Sequence, residues 1–201
     1  MGKDGRIRGG GCRGTTLVEV LAALTTFVSL ALVILGVERS ALRGIRESDR
    51  AGEVVERTNR LADRIDREVR TAGVSTLRVQ GGLGLAPPVE STDYSEMQFQ
   101  RATGFTTAGV VYGGAISLQF NLEPGETANG TDDDGDGLVD EGTITLQEPA
   151  TAAAVIARGV TEFAMRLEGR ALVVTLEIGI PGIGGTSRTH RVVRTVRLRN
   201  N

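Results

Sequence analysis

Cysteine is almost absent from this chain, and the one present, Cys12, lies close to the start. A lone cysteine forms no internal disulfide, so any stable fold here rests on packing or on bound ions. Lipid attachment is disfavoured as well, because a lipoprotein signal sets its apolar segment before the modified cysteine. Here three glycines precede Cys12 and the apolar run follows it. Tryptophan is missing, and two tyrosines and five phenylalanines are few for a platform that stacks bases or sugars. His190 is the only histidine and has no cysteine beside it, which argues against a transition-metal site. The formal charge of −2 gives no global attraction to nucleic acid or anionic lipid. Proline is absent before Pro87, so nothing of that kind interrupts a helix in the first third of the chain.

Also lacking is a nucleophile–base constellation. There is no G-x-S-x-G, and the glycine-rich "PGIGG" at 181–185 has neither the Lys-Ser/Thr nor the strand-to-helix setting of a phosphate loop. The expectation is a protein that is not an enzyme. No period of 20–50 residues recurs, which excludes a repeat architecture.

What the chain does have is one long apolar run. Residues 17–37, LVEVLAALTTFVSLALVILGV, hold a single charge, Glu19, and residues 20–37 hold none. At 1.5 Å per residue the uncharged part reaches about 27 Å, the thickness of a bilayer core. Lys3, Arg6, Arg8 and Arg13 precede it, so the positive-inside rule places the N-terminus in the cytoplasm and the remainder outside. A carboxylate in such a segment is costly and calls for a partner. Cleavage after Gly14 would leave a free α-amine on Thr15, one helical turn from Glu19 in the same chain or in a neighbour.

The stretch GTTLVEV, with its basic leader, resembles the class III signal of type IV pilins and type II secretion pseudopilins. That pattern is a short leader ending in glycine, an apolar stretch, and glutamate as fifth mature residue. Gly14 and Glu19 match it; the usual first mature residue is phenylalanine or methionine, and this chain has Thr15. The resemblance implies cutting between Gly14 and Thr15 by a membrane prepilin peptidase, possible N-methylation of Thr15, and handling by inner-membrane assembly machinery. It further implies a filament built with other pilin or pseudopilin subunits, Glu19 meeting a neighbour's terminal amine. Size, acidic loop and terminal VRLRN look most like minor pilins of the W type or pseudopilins of the J type. The alternative is a signal-anchored extracytoplasmic calcium-binding module for adhesion or interaction that never polymerises.

Beyond residue 37 the pattern turns amphipathic. Val54, Thr58, Leu61, Ile65 and Val69 make one apolar stripe at helical spacing. Glu53–Arg57, Glu56–Arg60, Asp63–Arg67 and Asp66–Arg70 set acid four residues before base, worth about 0.2–0.5 kcal/mol each. One helix is therefore expected over 15–72, roughly 85 Å if unbroken, with Gly73 as its stop. The segments are a leader, 1–14; a membrane and assembly helix, 15–37; its amphipathic continuation, 38–73; and a β-sheet domain, 74–201. After GGLGLAPP, a linker by composition, apolar residues alternate at 97–99, 116–122, 144–146, 163–167, 172–178 and 192–198. Period two marks an antiparallel sheet with one buried face. The fold class is α+β, a long helix packed on that sheet, and the resemblance implies the same pilin-like architecture. Five arginines at 188–199 read as the solvated face of an edge strand, and His190 as a surface residue.

The segment NGTDDDGDGLVDEG, residues 129–142, carries six carboxylates between Asp132 and Glu141. Asp132, Asp134 and Asp136 have the 1, 3, 5 spacing of an EF-hand-type loop, Gly137 takes the sharp-turn position, Leu138 offers its backbone carbonyl and Asp140 falls at position 9. Position 12 is Thr143 in place of glutamate, and Glu141 can swing in as a substitute. Hard oxygen ligands at this density suit Ca2+. Calcium is expected to order residues 129–142 in a domain without a disulfide.

Overall fold

The computed structural model describes residues 16–81, 84–181 and 187–198. The leader, Cys12, Gly14 and Thr15 lie outside the described residues. The chain divides into two compact units, Met1–Asp49 and Arg50–Asn201.

In the first unit, the described residues after Thr16 belong to the helix α1 (Leu17–Arg70). Its apolar side chains, among them Leu21, Phe27, Leu32 and Ile34, are exposed. This helix is long and apolar enough to cross a membrane. Thr25 and Thr26 return their hydroxyl protons to Ala22 and Ala23 carbonyls at 2.8–3.0 Å, so neither hydroxyl is left wanting in an apolar surround.

In the second unit, the stripe expected from spacing is the buried face of α1: Val54, Thr58, Leu61, Ala62, Ile65 and Val69. Thr58, polar and fully buried, donates to the Val54 carbonyl at 2.8 Å. Of the four expected acid–base pairs on the helix surface, Glu56–Arg60 and Asp66–Arg70 form. Arg57 instead donates to the Arg158 carbonyl, and Asp63 faces Arg194, because the sheet offers both partners. The helix ends at Arg70, a turn short of Gly73, which adopts ordinary extended angles (φ −86°). Ala72 already bridges to Arg101, so pairing with the sheet edge stops the helix.

After a 3-10 turn (Val74–Thr76) come β1 (Val79–Gly81), β2 (Gly84–Ala86), β3 (Asp93–Tyr94), β4 (Glu96–Thr106), β5 (Gly109–Leu122), β6 (Gly142–Gln147), β7 (Ala154–Glu168), β8 (Ala171–Pro181) and β9 (Ser187–Arg197). The presumed linker at 81–88 thus contributes to a two-stranded hairpin, β1–β2. Strands β4 to β9 pair in chain order, all antiparallel, with β3 on β7. Strands β5 and β7 start earlier than alternation indicated. Val111 in β5 and Val155 in β7 are exposed, and the buried Ala157 and Val160 of β7 stand three residues apart with Arg158 and Gly159 between them, so no period-two signal marks these segments.

The sheet buries Met97, Phe99, Ile116, Leu118, Ile144, Met165, Leu172, Leu176 and Ile178 in one core with Leu61, Ile65 and Val69. Beside the core, Arg101 of β4 bridges Glu68 of α1 and, at 2.7 Å, Glu148 beyond β6. Strand β9 is the last in the order; Arg191 pairs with Glu162 at 2.9 Å, and His190 is half-buried opposite Ile178.

The depth of the stripe sets a measurable contrast. Ile65→Ala, at 1% exposure, is expected to lower the unfolding free energy by about 2–5 kcal/mol. Val55→Ala, at 40% exposure on the other face, should stay within about 0.5 kcal/mol. Denaturant unfolding of the detergent-solubilised chain measures both, and equal effects would contradict the packing described.

Candidate metal centre

The acidic segment is the connection from β5 to β6, residues 123–141. Its neck continues the ladder: Leu122 pairs with Gly142, and the Glu123 amide donates to the Glu141 carbonyl at 3.1 Å. A side chain at Gly142 would place Cβ 2.4 Å from the Asn121 carbonyl, so the neck closes this tightly only around glycine. Thr143, at the formal twelfth position, is committed to the strand opposite Asn121 and stays out of the loop.

Within the loop, carboxylates organise the backbone through short-range hydrogen bonds. Asp132 accepts from the Gly135 and Gly137 amides at 2.6 and 2.9 Å, Asp134 from Asp136 at 3.0 Å, and Asp136 from Leu138 at 2.8 Å. Gly137 has φ +96°, the turn geometry its position in the motif demands. Asp133 accepts from Thr127 and from Asn129, and these bonds, Thr127's foremost, hold its carboxyl below the usual range. Leu138 is buried: its side chain fills the space over Gly179, where an added Cβ would lie 2.6 Å from Cδ2. That contact pins the loop to the sheet.

Five carboxylates gather into two triads that share Asp134. One is Asp132, Asp134 and Asp136; the other is Glu126, Asp134 and Glu141; in each the ligand atoms lie within 4.8 Å of one another. Asp140 belongs to neither, since its carboxylate turns to the Asn129 and Gly130 amides at 2.8–3.1 Å. Glu141 does turn inward, as a substitute for the missing glutamate would. Glu126 is the residue that sequence spacing missed, six positions before the motif begins and marked by no pattern of its own.

The inner triad is electrostatically uncompensated. Glu126 and Glu141 are 7% and 2% exposed, and the Oε2 atom of each is buried without a hydrogen-bond partner. At an effective dielectric of about 20, like charges no more than 4.8 Å apart repel by roughly 3.5 kcal/mol or more. Burial pushes the Glu141 carboxyl up, and the charges of Asp136, Glu126 and Asp134 add to the rise. Orphaned anionic oxygens in close array fit a hard divalent cation. The neighbouring cleft of ≈ 240 Å³ has Arg57 and Arg158 in its wall, but the Arg57 guanidinium is engaged by the Arg158 carbonyl.

At the other end of the chain, Glu19 and Thr16 form a reciprocal cap. The Thr16 amide donates to Glu19 Oε2 at 3.0 Å, and the Glu19 amide donates to Thr16 Oγ1 at 3.3 Å. This is the S/T-x-x-E capping box, which satisfies two orphan donors of a helix start. Comparison with protein-family models, with curated proteins and with solved structures gives no match.

With chelator present, Glu141→Gln is expected to raise the melting temperature at pH 7 by removing a buried like charge. The sign follows from the raised folded-state pKa: protonation of Glu141 supplies stability that is present below its unfolded value and lost as pH rises through the folded one. The advantage of the variant should therefore shrink as pH falls through the raised Glu141 value. Melting curves of both proteins across that range check it, and a pH-independent difference would contradict it.

Proposed function

We propose that the chain is a structural subunit, a minor pilin or minor pseudopilin, of a type IV pilus or a type II secretion pseudopilus. It enters the inner membrane through residues 17–37 with its N-terminus in the cytoplasm. Prepilin peptidase cuts it after Gly14, and it then starts or caps a filament of related subunits. The observation that carries this reading is α1. One uninterrupted helix (Leu17–Arg70) is apolar and exposed over its first half and buried along a single stripe over 54–69. Such a helix supplies both a membrane anchor and an assembly surface while remaining part of the extracytoplasmic fold. The acidic loop is structural in this reading: Ca2+ there neutralises the inner carboxylates and orders the β5–β6 connection without a disulfide.

The capping box favours a second reading, a signal-anchored calcium-binding module that does not polymerise. Glu19 is satisfied within its own chain by Thr16, so a neighbour's amine is not needed to account for it.

Two experiments separate these readings. Mass spectrometry of membrane-extracted protein is expected to give an N-terminus at Thr15; an intact leader would count against the filament. Glu19→Gln keeps an acceptor for the Thr16 amide and so preserves the cap, but it removes the charge an amine would pair with. Filament incorporation should fall with both Glu19→Gln and Glu19→Ala, while membrane insertion should be unchanged. Normal incorporation of Glu19→Gln would leave capping as the role of Glu19.

A further inference from the structure

Resting on the calcium reading of the acidic loop, the geometry points to Glu126 as a direct ligand of the ion: with Asp134 and Glu141 it forms the buried side of the site, adding a carboxylate from outside the motif to the one Glu141 supplies in place of the twelfth-position glutamate.

Glu126 is delivered there by a turn of its own. Pro124 and Gly125 occupy the central positions of a β-turn in which the Glu126 amide donates to the Glu123 carbonyl at 3.1 Å. Gly125 has φ +112°, the type II geometry that glycine allows at that place. The turn folds the chain back over the neck and brings Gly125 against Asp134, where an added Cβ would sit 3.5 Å from the Asp134 Cβ. Glu126 Oε1 then accepts from the Asp133 and Asp134 amides, both at 3.0 Å. The carboxylate is thereby held in orientation, with Oε2 buried and unpaired.

The three inner oxygens lie within 4.8 Å of one another, close enough for one ion to touch all of them, and a site made of several carboxylates suits Ca2+ better than Mg2+, which prefers to keep its waters. Two of the inner triad's three members are also shielded from solvent, which strengthens each ion–carboxylate attraction relative to the more exposed Asp132–Asp136 side.

Glu126→Gln separates ligation from loop support. Its amide oxygen still accepts from Asp133 and Asp134, while the amide nitrogen replaces the orphaned Oε2 and offers the ion no charge. Calcium titration of the chelator-stripped, full-length chain in detergent is expected to show affinity reduced by at least about tenfold, a loss already common when an outer-shell partner is removed. The metal-free melting temperature should not fall. Glu126→Asp, which keeps the charge but retracts it, should weaken binding to an intermediate degree and serves if the Gln variant does not fold. Wild-type affinity in both variants would overturn the assignment and leave the ion on Asp132, Asp134 and Asp136. A wild-type chain that binds no calcium would remove the loop reading and this ligand together, leaving the filament reading to its own tests.

Discussion

When Leu61, Ile65 and Val69 dock on the inner face of the sheet, they decide which side of every strand from β4 to β9 is dry. Side chains alternate along a strand, so a slip of one residue in any pairing would turn an apolar set to water. The hydrophobic contact with α1 therefore fixes register throughout the sheet unit. It also fixes where the β5–β6 connection must leave and return, because Leu122 and Gly142 face each other at a point set by Leu118–Leu146 and Phe120–Ile144 pairing below them. The carboxylates of the loop converge because the core holds their neck closed.

That convergence is unfavourable by itself. Most of the loop's carboxylates are spent on backbone amides, which organises the turns and spreads their charge. Glu126 and Glu141 differ: each keeps one oxygen buried and unused. A folded chain retains such a pair where something positive repays its desolvation, and a hard cation does so without demanding any new side chain. Leu138 serves the same end by apolar means, since its contact over Gly179 keeps the loop against β8. In the proposed reading, anchoring by one buried leucine and closure by a bound ion would together do the work that disulfides do in other small domains.

Glu19 presents the same problem in a different setting. A carboxylate at the edge of an apolar helix is tolerated here through two hydrogen bonds to Thr16. Capping a helix start and pairing with an amine place a carboxylate in the same region, because both answer the positive end of the helix dipole. A processed, polymerising subunit would use the residue for both.

The sequence alone determined the features that depend on periodicity and on local spacing. The stripe 54–69, the strands around 116–122 and 172–178, the membrane-length run and the 1, 3, 5 aspartates are all legible, because each burial or turn requirement recurs at a fixed interval. Tertiary structure alone decided the remainder. Helix α1 stops at Arg70 because the sheet edge captures Ala72, and Gly73 takes no part. The early parts of β5 and β7 form by pairing with the neighbouring strands β4 and β6, and β1 and β2 pair with each other in a composition that reads as linker, so none of them carries a repeating burial pattern. Glu126 shows the limit most clearly. Nothing in its neighbours marks it, and it becomes part of a carboxylate triad only when a Pro-Gly turn and a strand ladder bring it beside Glu141, fifteen positions along the chain.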